Sequence, residues 1–147
     1  DASLPRVSGE GASALLAFRD RRPARERPRV FVTHALGTTA RTEAARGMPA
    51  NTTGAAFAIG CGPSVFVVAP RTHSRHERLI AVRRYSPELE GLGPEHQIYA
   101  HGAAFEQAEA ICAGHGVLVI YAGRASREDQ EATIRTIRLR CAEPSAP

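Results

Sequence analysis

Five consecutive apolar residues, Val65-Phe-Val-Val-Ala69, followed at once by Pro70, constrain this chain more than any other segment. A run this short and unbroken, without polar alternation, reads as a β-strand buried on both faces. Val117-Leu-Val-Ile-Tyr121 repeats the signature in the last third of the chain, and Val30-Phe-Val-Thr33 and Gln97-Ile-Tyr-Ala100 read as shorter strands. Strands covered on both sides need a layer above and a layer below, and the intervening segments read as helices. These are residues 13–18, 41–46, 73–85 and 103–113, and a last helix capped by Ser126, with Glu128 and Asp129 in its first turn and Ile134, Ile137 and Cys141 at helical spacing. Residues 48–60 are apolar and small, a further helix or an irregular packing segment, and residues 86–95 are a loop carrying Pro87, Gly91, Gly93 and Pro94.

Strands alternating with helices predict an α/β fold, a three-layer parallel sheet with helices on both faces. A competing reading makes residues 55–69 a β-hairpin turning at Gly60-Cys-Gly-Pro63 and residues 132–141 a strand, which gives a barrel faintly like half of a trypsin-like protease. The Ser126 cap argues against it, as does the lack of a histidine at the end of the 65–69 strand.

At 147 residues one domain is expected. Residues 1–29 stand apart as a short helix and an arm, since the stretch from Arg19 to Arg29 holds six arginines and two prolines. Residues 30–141 carry the α/β domain and residues 142–147 a tail. The net charge is +4, but all 19 basic side chains are arginine, which resembles the codon bias of a GC-rich genome more than a nucleic-acid footprint. With no Trp and 5% aromatics, the chain lacks stacking platforms for bases, so no nucleic-acid partner is expected. Cys61, Cys112 and Cys141 are odd in number and lack CxxC spacing, and they read as reduced thiols of a cytoplasmic protein. His73 and His76 lack a clear third ligand, so no metal site is expected.

The turn after the first of these strands, Val32-Thr-His-Ala-Leu-Gly-Thr-Thr-Ala-Arg-Thr42, lines up without a gap against V-T-S-A-x-P-G-E-G-K-T. That pattern is the phosphate loop of the bacterial tyrosine autokinases and the Min/Par-type (deviant Walker) P-loop ATPases, which this chain resembles. The segment 65–71 is similar to the family's V-L-L-I-D-A-D, residues 97–102 to its V-I-I-D-T-P-P, and residues 116–129 to its D-G-V-L-L-V-V-R-A-G-R-T-x-x-D. Each motif is mostly apolar strand, and order and spacing carry the likeness.

The residues themselves depart from the family's chemistry. A phosphate loop needs glycines whose N–H groups turn toward phosphate, a lysine and a Mg²⁺-binding hydroxyl. Thr38 and Ala40 stand at the glycine positions and Arg41 at the lysine, and only Thr42 is retained. Ala69, Arg71 and Ala100 stand where the family has aspartates, so catalysis is not expected.

The resemblance therefore implies a pseudo-ATPase without catalytic residues, cofactor or metal. It would serve as a scaffold or regulatory subunit in an inner-membrane-associated assembly, chiefly exopolysaccharide or cellulose secretion. Its partners would be copies of itself or a membrane-associated synthase complex, in the cytoplasm or peripheral at the inner membrane, with the Arg19 to Arg29 arm on anionic lipid. An alternative is a divergent nucleotide binder or ATPase using Thr38, Thr39, Ala40, Arg41 and Thr42, with His101 as acid or base. An unrelated small α/β domain and an inactive trypsin-like barrel are lesser alternatives.

Overall fold

The computed structural model describes residues 2–9, 14–20, 29–34, 56–72, 78–99, 104–114, 116–124 and 133–140. Among these every regular element is a strand: β1 (Ala2–Ser8), β2 (Leu15–Asp20), β3 (Arg29–His34), β4 (Phe57–Cys61), β5 (Ser64–Thr72), β6 (Arg78–Tyr85), β7 (His96–Tyr99), β8 (Ala104–Cys112), β9 (Gly116–Arg124) and β10 (Thr133–Arg140). They form three antiparallel meanders, an N-terminal sheet β1-β2-β3, a central sheet β4-β5-β6-β7 and a C-terminal sheet β8-β9-β10.

The continuous apolar runs explain the stacking. Successive side chains of a strand point to opposite faces, so a strand without polar alternation must be covered twice. Val65, Val67 and Ala69 of β5, with Leu79, Ala81 and Tyr85 of β6, share a core with Leu15, Ala17, Val30 and Val32 of the N-terminal sheet. Phe66, Val68, Ile80 and Val82, on the opposite face, share a second core with Ala108, Val117, Val119 and Tyr121 of the C-terminal sheet. The central sheet is the filling of a three-sheet stack. Both faces of β5 are therefore buried as the sequence implied, but sheets supply the covering layers where helices were expected.

The α/β expectation is thus overturned, and with it the likeness to the tyrosine autokinases and P-loop ATPases. The sheets are antiparallel, and among the described residues no helix is present. The collinear match aligned apolar strands with apolar strands, and such segments are common to both fold classes. Residues read as helices at 13–18, 73–85 and 103–113 contribute β2, β6 and β8. The last predicted helix gives way to β10, in which Ile137 and Leu139 pack inward with the period-two alternation of a strand. Residues 41–46, the Ser126 cap and most of the Arg19 to Arg29 arm lie outside the described residues.

The competing reading was right on two local points, the 132–141 strand and the hairpin. Cys61 pairs with Ser64 across Gly62-Pro63, and Gly62 takes φ +57°, the positive value required at the first central position of a type II′ turn. Pro70 does not end β5, which continues to Thr72. Among the described residues pairing with β4 stops at Val68, so the N–H that Pro70 lacks breaks no β4–β5 pairing described there.

The cysteines are also corrected. Cys61, at the end of β4, and Cys112, at the end of β8, form a disulfide with Cα atoms 5.2 Å apart. Cys61 is buried in the core between the central and C-terminal sheets, and Cys112, which the register of β8 on β9 sets beside Val117, is exposed. An odd cysteine count cannot reveal a pairing that depends on two separate strand ends meeting.

A basic cleft between the central and C-terminal sheets

At one end of the second core the two sheets part and leave a cavity of about 350 Å³. Its apolar lining is Phe66 of β5, Val82 of β6, Leu92 of the β6–β7 connection and Leu139 of β10, and its polar lining is Arg84, His96, Arg138 and Arg140. No carboxylate is among these lining residues.

Register brings the group together. Phe66 is paired with Arg84, and Val82 with His96, so the four share one face of the central sheet. Phe66 and Val82 continue the buried row, whereas Arg84 and His96 lie where the row reaches the sheet's open end. On the opposite wall Leu139 is the inward-facing residue of β10, and Arg138 and Arg140, paired with Leu118 and Gly116 on the strand's other face, border the cleft.

Two of the arginines are held in place. Arg84 Nε donates to the buried Ser64 hydroxyl at 2.8 Å, and an Arg138 terminal nitrogen donates to the Ala113 carbonyl at 3.4 Å. The β6–β7 connection closes the side of the cleft, with Leu92 N–H bonded to the Arg84 carbonyl at 2.9 Å. The same connection holds Leu89 at φ +67° with its side chain in the first core, a left-handed conformation for a non-glycine residue that burial maintains. Guanidinium groups offer planar forks of donors and bind carboxylate, sulfate or phosphate strongly. With an apolar floor beneath, the cleft is suited to an anionic head on an apolar stem.

A second polar group lies on the other face of the central sheet. Arg71 pairs with Glu95, Gln97 Nε2 donates to Glu95 Oε1 at 3.1 Å, and the Arg83 guanidinium carbon lies 5.5 Å from the centre of the Tyr85 ring. Burial pushes the Tyr85 phenol up to about 12, with the Arg83 charge and hydrogen bond opposing and Glu95 adding to the rise. The group is only partly satisfied, since Glu95 Oε2 is buried without a hydrogen-bond partner among the described residues.

The degenerate phosphate loop, Thr38, Thr39, Ala40, Arg41 and Thr42, lies outside the described residues, as do His73, His76 and His101. The cleft arginines were missed because residues 133–140 were read as a helix, in which Arg138 and Arg140 would diverge. The signal available was the alternation Thr-Ile-Arg-Thr-Ile-Arg-Leu-Arg, a β-branched, period-two pattern.

The fold and the cleft define a three-sheet antiparallel β domain with a basic cleft between two of its sheets. The chain matches no protein-family profile, no characterised protein and no solved structure. Among the described residues, no helix is long and apolar enough to cross a membrane.

Proposed function

We propose that this protein is a binding domain that recognises an anionic group carried on an apolar stem, using the cleft between β6–β7 and β10. The observation that carries the reading is a cavity in which Arg84 and His96 stand beside Phe66, Val82 and Leu139, with Arg138 and Arg140 of β10 bordering it. The cavity falls within the usual range of ligand sites, and a few placed polar groups over an apolar lining are what such sites share. The expected role as a non-catalytic binding partner is kept in this form. The assignment to polysaccharide secretion loses its footing, because it stood on the ATPase resemblance. The Cys61–Cys112 disulfide supports a place in an oxidising compartment in preference to the expected cytoplasm.

Titration with hexanoate, followed by the amide resonances of the protein, tests the reading. Hexanoate should perturb β6, β7 and β10, hexanol should not, and Arg84→Gln or Arg138→Gln should weaken binding by about 1.5–3 kcal/mol, the usual worth of a hydrogen bond to a charged group. Equal responses to hexanoate and hexanol, or no response to either, overturn it.

A further inference from the structure

The Cys61–Cys112 disulfide ties together the two sheets that wall the cleft, β4 belonging to the central sheet and β8 to the C-terminal one. Each half stands a short hydrogen-bonded relay away from residues of the cleft. On the central side Cys61 is paired with Ser64, whose hydroxyl accepts the Arg84 Nε–H at 2.8 Å. On the other side Cys112 is paired with Val117, which is paired in turn with Leu139. Ala113, next in the chain, accepts from Arg138 at 3.4 Å and donates to the Gly116 carbonyl at 2.8 Å, and Gly116 is the strand partner of Arg140. Arg84, Arg138, Leu139 and Arg140 all line or border the cleft, so one covalent bond sets how far its two walls stand apart.

The surroundings of this bond also provide for its opening. Cys61 is 4% exposed, whereas Cys112 is exposed, so an attacking thiolate has access at the Cys112 end. Cys61 Sγ lies 3.0 Å from the Gly116 carbonyl oxygen and 3.7 Å from that of Gly114, and Cys112 Sγ lies 3.9 Å from the latter. A disulfide sulfur has no hydrogen to give these oxygens and a thiol does, so both sulfurs have acceptors in place for the reduced state. The apolar core between the sheets, with Phe66, Val68 and Ile80 against Val117 and Val119, needs no cross-link and keeps them stacked when the bond is open.

We propose that the Cys61–Cys112 disulfide is a redox latch on the anion cleft. Closed, it holds the arginine-bearing walls at binding distance; opened by a dithiol reductant, it lets them part and release the ligand. This rests on the cleft being an anion site. A thiolate of the reductant bonds to Cys112 Sγ as the Sγ–Sγ bond breaks, and Cys61 departs as a thiolate that takes up the proton the reductant's thiol had shed. The reductant's second thiolate then bonds to its first sulfur, and Cys112 leaves and is protonated in the same way. The reductant thus loses two electrons in closing its own disulfide, and the protein gains two thiols. Ligand is held in an oxidising compartment and given up in a reducing one.

Hexanoate titrations of the oxidised protein and of the protein kept in dithiothreitol, both followed by amide resonances, test the latch. Reduction should leave the amide spectrum dispersed and shift Ser64, Arg84, Ala113 and Leu139 before any hexanoate is added. It should weaken hexanoate binding by about ten-fold or more, and reoxidation should restore it. The joint change Cys61→Ala with Cys112→Ala should bind as the reduced protein does, with or without dithiothreitol. Equal affinity in the two redox states overturns the proposal and leaves the anion cleft standing. A reduced chain whose spectrum collapses to that of an unfolded one also overturns it, because the bond is then a staple of the whole fold, and so does a bond that dithiothreitol leaves intact in the folded protein. Failure of the oxidised protein to bind hexanoate defeats the cleft reading and this proposal together.

Discussion

Arg71, near the end of β5, and Glu95, just before β7, form an ion pair that is almost closed to solvent, their side chains 4% and 11% exposed. They reach each other on the face of the central sheet where Ala69 and Ala81 are paired, and these two small side chains leave room above the sheet. Gln97 from β7 completes the group, so the pair ties the short edge strand to the sheet's middle.

Removing one partner of this pair leaves a buried charge without compensation. Glu95→Gln should destabilise the protein by about 3–5 kcal/mol, and the joint change Arg71→Met with Glu95→Leu should cost much less. Denaturant midpoints for the two variants check this, and a single-variant loss below about 1 kcal/mol would show that water reaches the pair.

The Cys61–Cys112 disulfide spans a sequence separation of 51. In the chain-entropy model a closed loop of that length contributes about 4 kcal/mol by restricting the unfolded chain. Urea unfolding with and without a thiol reductant should show a loss of that order, and thiol titration of the unfolded, unreduced chain should find at most one thiol among its three cysteines. Three titratable thiols would refute the bond.

Tyr85 should ionise later than an ordinary tyrosine. Its phenol sits at about 12 in the folded protein against 10.0 for an ordinary tyrosine, chiefly through burial. A folded value raised above the unfolded one contributes stability that is complete below pH 10.0 and is lost as pH rises toward 12. Tyrosinate absorbance should therefore show a late-titrating phenol that Tyr85→Phe removes, and the unfolding midpoint should fall across that window. Glu95→Gln should bring the late titration to lower pH, because Glu95 contributes to the rise.

Gly116 is where β9 lies closest to β10. A Cβ at this position would stand 2.1 Å from the Leu139 carbonyl oxygen and 3.0 Å from the Arg140 Cα, both backbone atoms that cannot rotate aside. Gly116→Ala should cost about 1–3 kcal/mol and weaken hexanoate binding by displacing the wall that carries Arg140. Gly60→Ala is the control, because a Cβ there meets nothing within 4 Å. It should change stability by less than about 0.5 kcal/mol.

The strands found by reading the sequence are those whose burial is independent of their neighbours' identity. Val65–Ala69 and Val117–Tyr121 are apolar on both faces or nearly so. The loop at 86–95 was equally plain from its prolines and glycines. The misread strands β8 and β6 fail for different reasons. β8, Ala-Phe-Glu-Gln-Ala-Glu-Ala-Ile-Cys, is built of strong helix formers, yet pairing with β9 along its length overrides that weak preference. β6 sends Leu79 and Ala81 to one core and Ile80 and Val82 to the other, a split that resembles helical clustering when only hydrophobicity is counted.

By itself the sequence determined that β5 must be covered on both sides, because its unbroken apolar run needs a layer on each face. The similar run of β9 is buried on one face, through Val117, Val119 and Tyr121, and leaves Leu118 and Ile120 part-exposed on the other. Whether the layers over β5 were helices or sheets was a tertiary decision, made by strand pairing that outweighs local propensity. Tertiary structure also decided which two cysteines meet, and that Arg84 and the distant β10 residues Arg138 and Arg140 border one cleft. These are long-range relations of register, and no local pattern of side chains encodes them.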